Sequence, residues 1–260
     1  YGKAIEDYKI KGWYDGAIYK IDKNGNIDWA ESFGTSTVDI LNDVVVTKDG
    51  DIVVVGSVGT NDGDASESGG NSNESKAVIL KYSKSGKLLW KQFAGGNMDT
   101  FVGVAETADG SIFALGNFYS GKLFPALGKC DSGVVKYTAD GKMVKKTSIA
   151  GSGIDDFKGI TATTDGGIVV CGASYSSVSN KERFFKNDFA SRGGYDSYII
   201  KYTNDPITTN GEKLFGRYPN EGVFILKNNQ EILTRLDVIF AKAKYSNHLD
   251  ASEPIINNEK

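Results

Sequence analysis

The chain is 260 residues long, 28.0 kDa, with a formal charge of −3 and 40% hydrophobic residues. That length buries a substantial core as one large all-β domain or two ordinary ones. The slight acidity argues against nucleic-acid binding, which needs a basic face, and no apolar run approaches the roughly 20 residues of a membrane-spanning helix.

Thirty-two glycines, four prolines, thirteen Tyr and thirteen Phe fit many short strands joined by tight turns. With no Met at position 1 and no secretory h-region, Tyr1 reads as a cut or processed end. Residues 1–12 read as the last strand of a preceding unit, or as a strand closing a ring with the C-terminal unit.

From residue 16 the sequence GAIYKIDKNGNIDW reads as strand, turn and strand. Ile18, Lys20 and Asp22 fall on one side of its first strand, and Tyr19 and Ile21 on the other. Gly25 supplies the positive φ of a tight hairpin. A third strand, LNDVVVT, and an Asp49-Gly50 turn lead into IVVVG at 52–56, apolar enough to be covered on both faces.

The pattern returns at AVILKYSKSGKLLW (77–90) and GVVKYTADGKMV (133–144), each followed by an Asp-Gly turn and an apolar strand, IFALG at 112–116 and IVVCG at 168–172. Repetition at about 55 to 60 residues marks a repeat architecture, in which one unit cannot bury its own faces. Four antiparallel strands per unit describe the blade of a β-propeller. The expected fold is an all-β array of four or five such blades in a single domain, or a segment of a larger propeller. Blades are placed at 13–59, 75–120, 130–176 and 194–245, with 246–260 as a tail. The fourth copy, SYIIKYTNDPITTNGEKLFG at 197–216, is degenerate, its turn lengthened around Pro206 and its next link to Asn228-Asn229 shortened. Trp29 and Trp90 read as packing wedges between blades.

The V-x-K-Y strand, NG turn, Trp, FGG-like end, Asp ahead of the third strand, DGG-like turn and VVG strand together resemble the bacterial β-propeller repeats of secreted and surface-attached proteins, many from Gram-positive bacteria and Bacteroidetes. The resemblance covers about residues 13–202. It implies an extracellular or cell-surface location, and a part in adhesion or scaffolding through a glycan or protein ligand. The chain is expected to be a monomer.

Asp39, Asp99 and Asp155 occupy equivalent positions, each ten residues before the turn Asp, and read as acceptors of backbone N–H groups. In the 60–75 loop, Asn61, Asp62 and Asp64 around Gly63 offer hard oxygens of the kind calcium selects, without the glutamate at position 12 of an EF-hand. Disorder is the competing reading of so Ser/Gly/Asn-rich a stretch. No other cofactor is expected. The 176–194 segment mixes Lys181, Arg183 and Arg192 with Phe184, Phe185 and Phe189, the composition of a recognition surface or of a loop anchored by its aromatics.

A single histidine, His248, leaves little material for acid/base catalysis or a zinc site. Cys130 and Cys171 read as two packed free thiols, with a disulfide as the alternative. A non-catalytic binding module is the expected function. A propeller enzyme acting on glycans or a quinoprotein-like dehydrogenase, and a plain spacer, are the alternatives.

Overall fold

The computed structural model describes residues 10–67, 74–125, 128–151, 153–175, 196–202, 213–218 and 224–225. The chain is all-β, built from antiparallel sheets that follow one another in sequence order. A hairpin of β1 (Gly16–Ile21) and β2 (Ile27–Phe33) comes first. A four-stranded sheet of β3 (Ile40–Val46), β4 (Ile52–Val58), β5 (Lys76–Tyr82) and β6 (Leu88–Ala94) follows. The next holds β7 (Thr100–Glu106), β8 (Ile112–Phe118), β9 (Asp131–Tyr137) and β10 (Met143–Ile149). The last holds β11 (Asp155–Ala162), β12 (Ile168–Ser174), β13 (Asp196–Tyr202) and β14 (Lys213–Tyr218), with the two-residue β15 (Phe224–Ile225) beyond β14.

The expected hairpins form among the described residues, the one around Asn228-Asn229 lying outside them, but the sequence module and the sheet are offset by one hairpin. Blades placed at 13–59, 75–120 and 130–176 would each join a Trp-type hairpin to the Asp-Gly hairpin that follows it. The observed sheets join each Asp-Gly hairpin to the Trp-type hairpin after it, so they start at Ile40, Thr100 and Asp155. Residues 34–39, 95–99 and 150–154 cross from one sheet to the next, which separates the two hairpins of a module. β1–β2 is left as a half-sheet.

β4 shows why the sheets must stack. Val53 and Val55 join an apolar layer with Ala77, Ile79, Phe101, Val104 and Ile112, while Val54 and Val58 join Ile18, Phe33, Val78, Leu80 and Tyr82 on the opposite face. A third layer, with Phe113, Leu115, Val134, Phe157, Ile168 and Ile200, joins the last two sheets. Burying each such side chain fully stabilises the stack by about 1.5–3 kcal/mol, so the two-sided cover predicted for β4 ties its sheet to both neighbours.

A β-bulge recurs in the first strand of every sheet, at Leu41/Asp43, Phe101/Gly103 and Phe157/Gly159. Such bulges bend and twist a strand locally. In β3 the extra residue, Asn42, donates its amide to the Phe101 carbonyl (2.7 Å) and to Thr100 Oγ1 (3.1 Å). Asp43 accepts the Val104 N–H at 2.8 Å, so the bulge also fastens β3 to β7.

The alternation expected in β1 is present, with Ile18 buried and Tyr19 and Ile21 on the other face. That second face is open to solvent, Ile21 being 60% exposed where its counterpart Tyr82 is 2% exposed. Beneath β5 lies the β1–β2 hairpin, and no described strand lies beneath β1.

Candidate functional site

The equivalent carboxylates Asp39, Asp99 and Asp155 are all buried and do what their spacing predicts. Asp39 accepts the Thr35 N–H (2.6 Å), the Thr35 hydroxyl (2.8 Å) and the Gly59 N–H (3.0 Å). Asp99 accepts the N–H groups of Gly96 (2.7 Å), Tyr119 (2.7 Å) and Ser120 (2.9 Å) together with the Ser120 hydroxyl. Asp155 accepts the Gly151 N–H (2.6 Å) and the Ser174 hydroxyl. Each carboxylate thus pins the connection from the preceding sheet to the start of the long loop of its own sheet. Burial pushes the Asp39 carboxyl above the usual range, against the pull of its Thr35 and Gly59 hydrogen bonds.

Two further features recur: an indole contact that joins neighbouring sheets and a lysine pair that fastens a strand to a turn of its own sheet. The Trp29 indole donates to the Lys84 carbonyl at 3.1 Å and faces Gly86; the Trp90 indole donates to the Ala139 carbonyl at 3.1 Å and faces Gly141. The V-x-K-Y lysines are largely buried: Lys81 pairs with Asp51 at 3.2 Å, and Lys201, 1% exposed, pairs with Asp165. Sequence reasoning missed these pairs, although the repetition of one lysine inside an otherwise apolar strand signalled them.

The connections sort by end. Residues 22–26, 47–51, 83–87, 107–111, 138–142 and 163–167 are five-residue turns at one end of the sheets, where the β13–β14 link, 203–212, is longer. At the opposite end, the links β4–β5 (59–75), β8–β9 (119–130) and β12–β13 (175–195) share neither length nor sequence. Three equivalent strands deliver three unlike loops to one end of the stack, the arrangement that places recognition residues on a rigid scaffold.

In the first of these loops, Asp62 and Asp64 turn back onto the end of β2. Asp62 accepts the Ser36 N–H (2.8 Å) and hydroxyl and the Thr60 hydroxyl (2.9 Å); the Ser36 hydrogen bonds lower its pKa. Asp64 accepts the Gly34 N–H at 2.9 Å and pairs with Lys11, while Lys91 donates to its backbone carbonyl at 2.8 Å. Among the described residues no group of three or more His, Cys, Asp or Glu is arranged to hold a metal ion. Asn61 lies beside Asp62 in the same loop, half-buried. The candidate residues Lys181, Arg183, Phe184, Phe185, Phe189 and Arg192 lie outside the described residues.

Both cysteines are free. Cys130 is buried as expected, and burial raises its thiol pKa. Cys171 corrects the expectation of two packed thiols: it is exposed, on the outer face of the last sheet. No described helix is long and apolar enough to cross a membrane.

Stacked four-stranded antiparallel sheets, fastened by repeated Asp, Trp and Lys contacts, define a propeller-like repeat protein. No family model matches the chain, and no curated protein matches it. Among solved structures, a point mutant of Synechocystis apocarotenoid oxygenase superposes with a TM-score of 0.41 at 15% identity over 78% of this chain and 45% of that one. A chimera of ACO and RPE65 gives a TM-score of 0.40 at 16% identity with the same coverage. The chain spans under half the length of these structures, and a likeness this loose has no bearing on chemistry.

Proposed function

We propose that the chain is a non-catalytic binding or adhesion module of a secreted or surface-attached bacterial protein, with a glycan or protein as ligand. The observation that carries this reading is the asymmetry of the connections in the first three repeats: five-residue turns at one end, and at the other three unlike loops from equivalent strands. The recurring polar residues support it as well. Asp39, Asp99 and Asp155, Lys81 and Lys201, and the indole N–H groups of Trp29 and Trp90 are all engaged in fastening sheet to sheet or strand to turn. Variation is confined to the loops, where specificity belongs in a scaffold of this kind.

The test is a glycan and extracellular-matrix array probed with the purified chain, in calcium and in chelator, beside a Phe184→Ala/Phe185→Ala variant. Specific binding that the variant loses is the expected result. A blank array in both conditions would leave a spacer as the better reading, and turnover of any glycan by the chain would replace the binding module with an enzyme.

A further inference from the structure

The chain enters β1 and crosses from sheet to sheet at the end that carries the unlike loops, since the five-residue turns lie at the other. Five aromatic side chains are exposed among the described residues, and four of them are at this end: Trp13 (82%), Tyr14 (69%), Tyr175 (54%) and Tyr119 (47%). Tyr19, on β1, is the fifth. A large ring left in water forgoes the burial that makes it stabilising, so packing does not account for the clustering.

Each of the four is held at its backbone by a sheet-to-sheet crossing. Trp13 and Tyr14 donate their N–H groups to the Thr37 carbonyl (2.9 and 3.2 Å), and the Tyr14 carbonyl accepts the Asp39 N–H at 2.8 Å. The Tyr119 N–H goes to Asp99 (2.7 Å) and the Tyr175 N–H to the Ile154 carbonyl (2.8 Å). Tyr119 and Tyr175 are equivalents, each the first residue after the second strand of its sheet. The crossings lead into β3, β7 and β11, which pack in series, β3 on β7 and β7 on β11. Stacked sheets lie about 10 Å apart, so the rings stand at fixed stations, one per crossing, at the spacing of the sheets.

The middle crossing is strained. Met98 has φ of +66°, the one non-glycine residue in the left-handed region among the described residues. Its N–H is fixed on Ser75 Oγ at 2.7 Å and its side chain is 62% exposed. That conformation costs about 1–2 kcal/mol, and such strain gathers where a surface is preorganised for a ligand. Polar groups lie on the same connections, Ser36 and Thr37 on the first and Asn97 on the second, with Ser75 beside it. Charge is neutralised locally, Lys11 pairing with Asp64, Lys91 with Glu67 and Lys122 with Glu74.

We propose that this end is a carbohydrate platform, on which an uncharged oligosaccharide lies with its pyranose rings against Trp13, Tyr14, Tyr119 and Tyr175 and its chain passing over Met98. The C–H face of a sugar carries slightly positive hydrogens that suit the negative face of an aromatic ring, and its hydroxyls suit the amide and hydroxyl groups between the stations. Paired charges provide no field to draw an anionic glycan or a nucleic acid. Separate rings with polar groups between them lack the continuous apolar centre of a protein interface. The inference rests on the binding-module reading and narrows it to a ligand class and a place.

Tryptophan fluorescence tests it, because Trp29 and Trp90 already donate to carbonyls of the next sheet whereas Trp13 stands in water. Titrating the full chain with neutral hexasaccharides of cellulose, xylan, chitin and laminarin should shift the emission to the blue, with saturation, for at least one of them. Trp13→Ala abolishes the shift. Trp13→Ala and Tyr119→Ala each weaken binding, measured by calorimetry, at least about tenfold at an unchanged melting temperature, as truncation of an exposed anchor requires. Met98→Gly weakens binding while the melting temperature stays level or rises, a combination that a purely structural residue does not give. Binding that all three variants retain, or that only Phe184→Ala/Phe185→Ala loses, overturns the platform and leaves a binding module. So does capture of a protein or an anionic glycan on the array where every neutral glycan is blank. A blank for every class of ligand overturns both readings.

Discussion

The indole ring of Trp90 lies flat against Gly141, the turn glycine of the next sheet, and donates its N–H to the Ala139 carbonyl two residues before it. Gly141 has φ of +88°, and a Cβ there would sit 2.7 Å from Trp90 Cδ2. The same turn glycine therefore meets two requirements, a left-handed backbone and a bare surface for the ring.

Gly141→Ala should consequently destabilise more than Gly166→Ala. Gly166 has φ of +83° with open space around it, so it incurs only the conformational strain, about 1–2 kcal/mol. Gly141→Ala adds displacement of the indole. In a Trp90→Ala background the two glycine substitutions should cost the same in urea unfolding, and a persisting gap would mean the ring does not rest on Gly141.

Asp99 accepts three backbone N–H groups and a hydroxyl while fully buried. Asp99→Ala orphans all four donors and should cost about 3 kcal/mol or more, given 1–3 kcal/mol for each buried group left unsatisfied and partial relaxation. Asp140→Ala, at an exposed turn, should cost under about 1 kcal/mol. Thermal or urea unfolding of the pair checks the contrast.

Acid unfolding should bear the mark of Asp109. The Thr107 hydroxyl (2.6 Å) and the Ser111 N–H (3.0 Å) hold its carboxyl at about 2, below the ordinary 3.8. A carboxyl depressed on folding contributes stability that is fully present above the unfolded value and lost as pH falls through the folded one. Asp109→Asn should flatten the stability curve between about pH 4 and pH 2 while leaving its slope above pH 5 unchanged; an unaltered acid limb would contradict the assignment.

The hydroxyl of Tyr137 is buried in the second apolar layer without a hydrogen-bond partner among the described residues, and burial raises its pKa. Removing an unsatisfied buried group relieves its desolvation, which is about 1–3 kcal/mol for such groups. Tyr137→Phe should leave the protein as stable as the wild type or raise its melting temperature, and a marked loss would reveal a bonded partner.

Asp62 joins the 60–67 loop to Ser36. Asp62→Ala should lower the melting temperature by the same amount in calcium and in chelator, because the carboxylate already serves protein donors. A calcium-induced rise in the wild type that the variant lacks would instead establish the calcium site expected at Asn61, Asp62 and Asp64.

Much of this was legible in the letters. Hairpin signals are local: a turn glycine at Gly25, Gly86 or Gly141 and apolar runs on either side suffice to define two strands. The acceptor role of Asp39, Asp99 and Asp155 followed from their fixed distance to the turn. The grouping of hairpins into sheets was not legible, because residues 34–39 look alike whether they turn back within a sheet or cross to the next. Lys81 and Lys201 escaped for a related reason. Their partners Asp51 and Asp165 lie in the preceding turn, brought alongside only when β4 pairs with β5 and β12 with β13.

The offset between module and sheet has a mechanical consequence. Each four-stranded sheet is sewn from two successive sequence copies, as bricks in a wall overlap the joint below. Pulling one copy away from the next therefore means tearing a whole strand pair, β4 from β5 or β8 from β9, instead of stretching a linker. Tension applied along the chain meets hydrogen-bonded ladders at the seams β4–β5, β8–β9 and β12–β13.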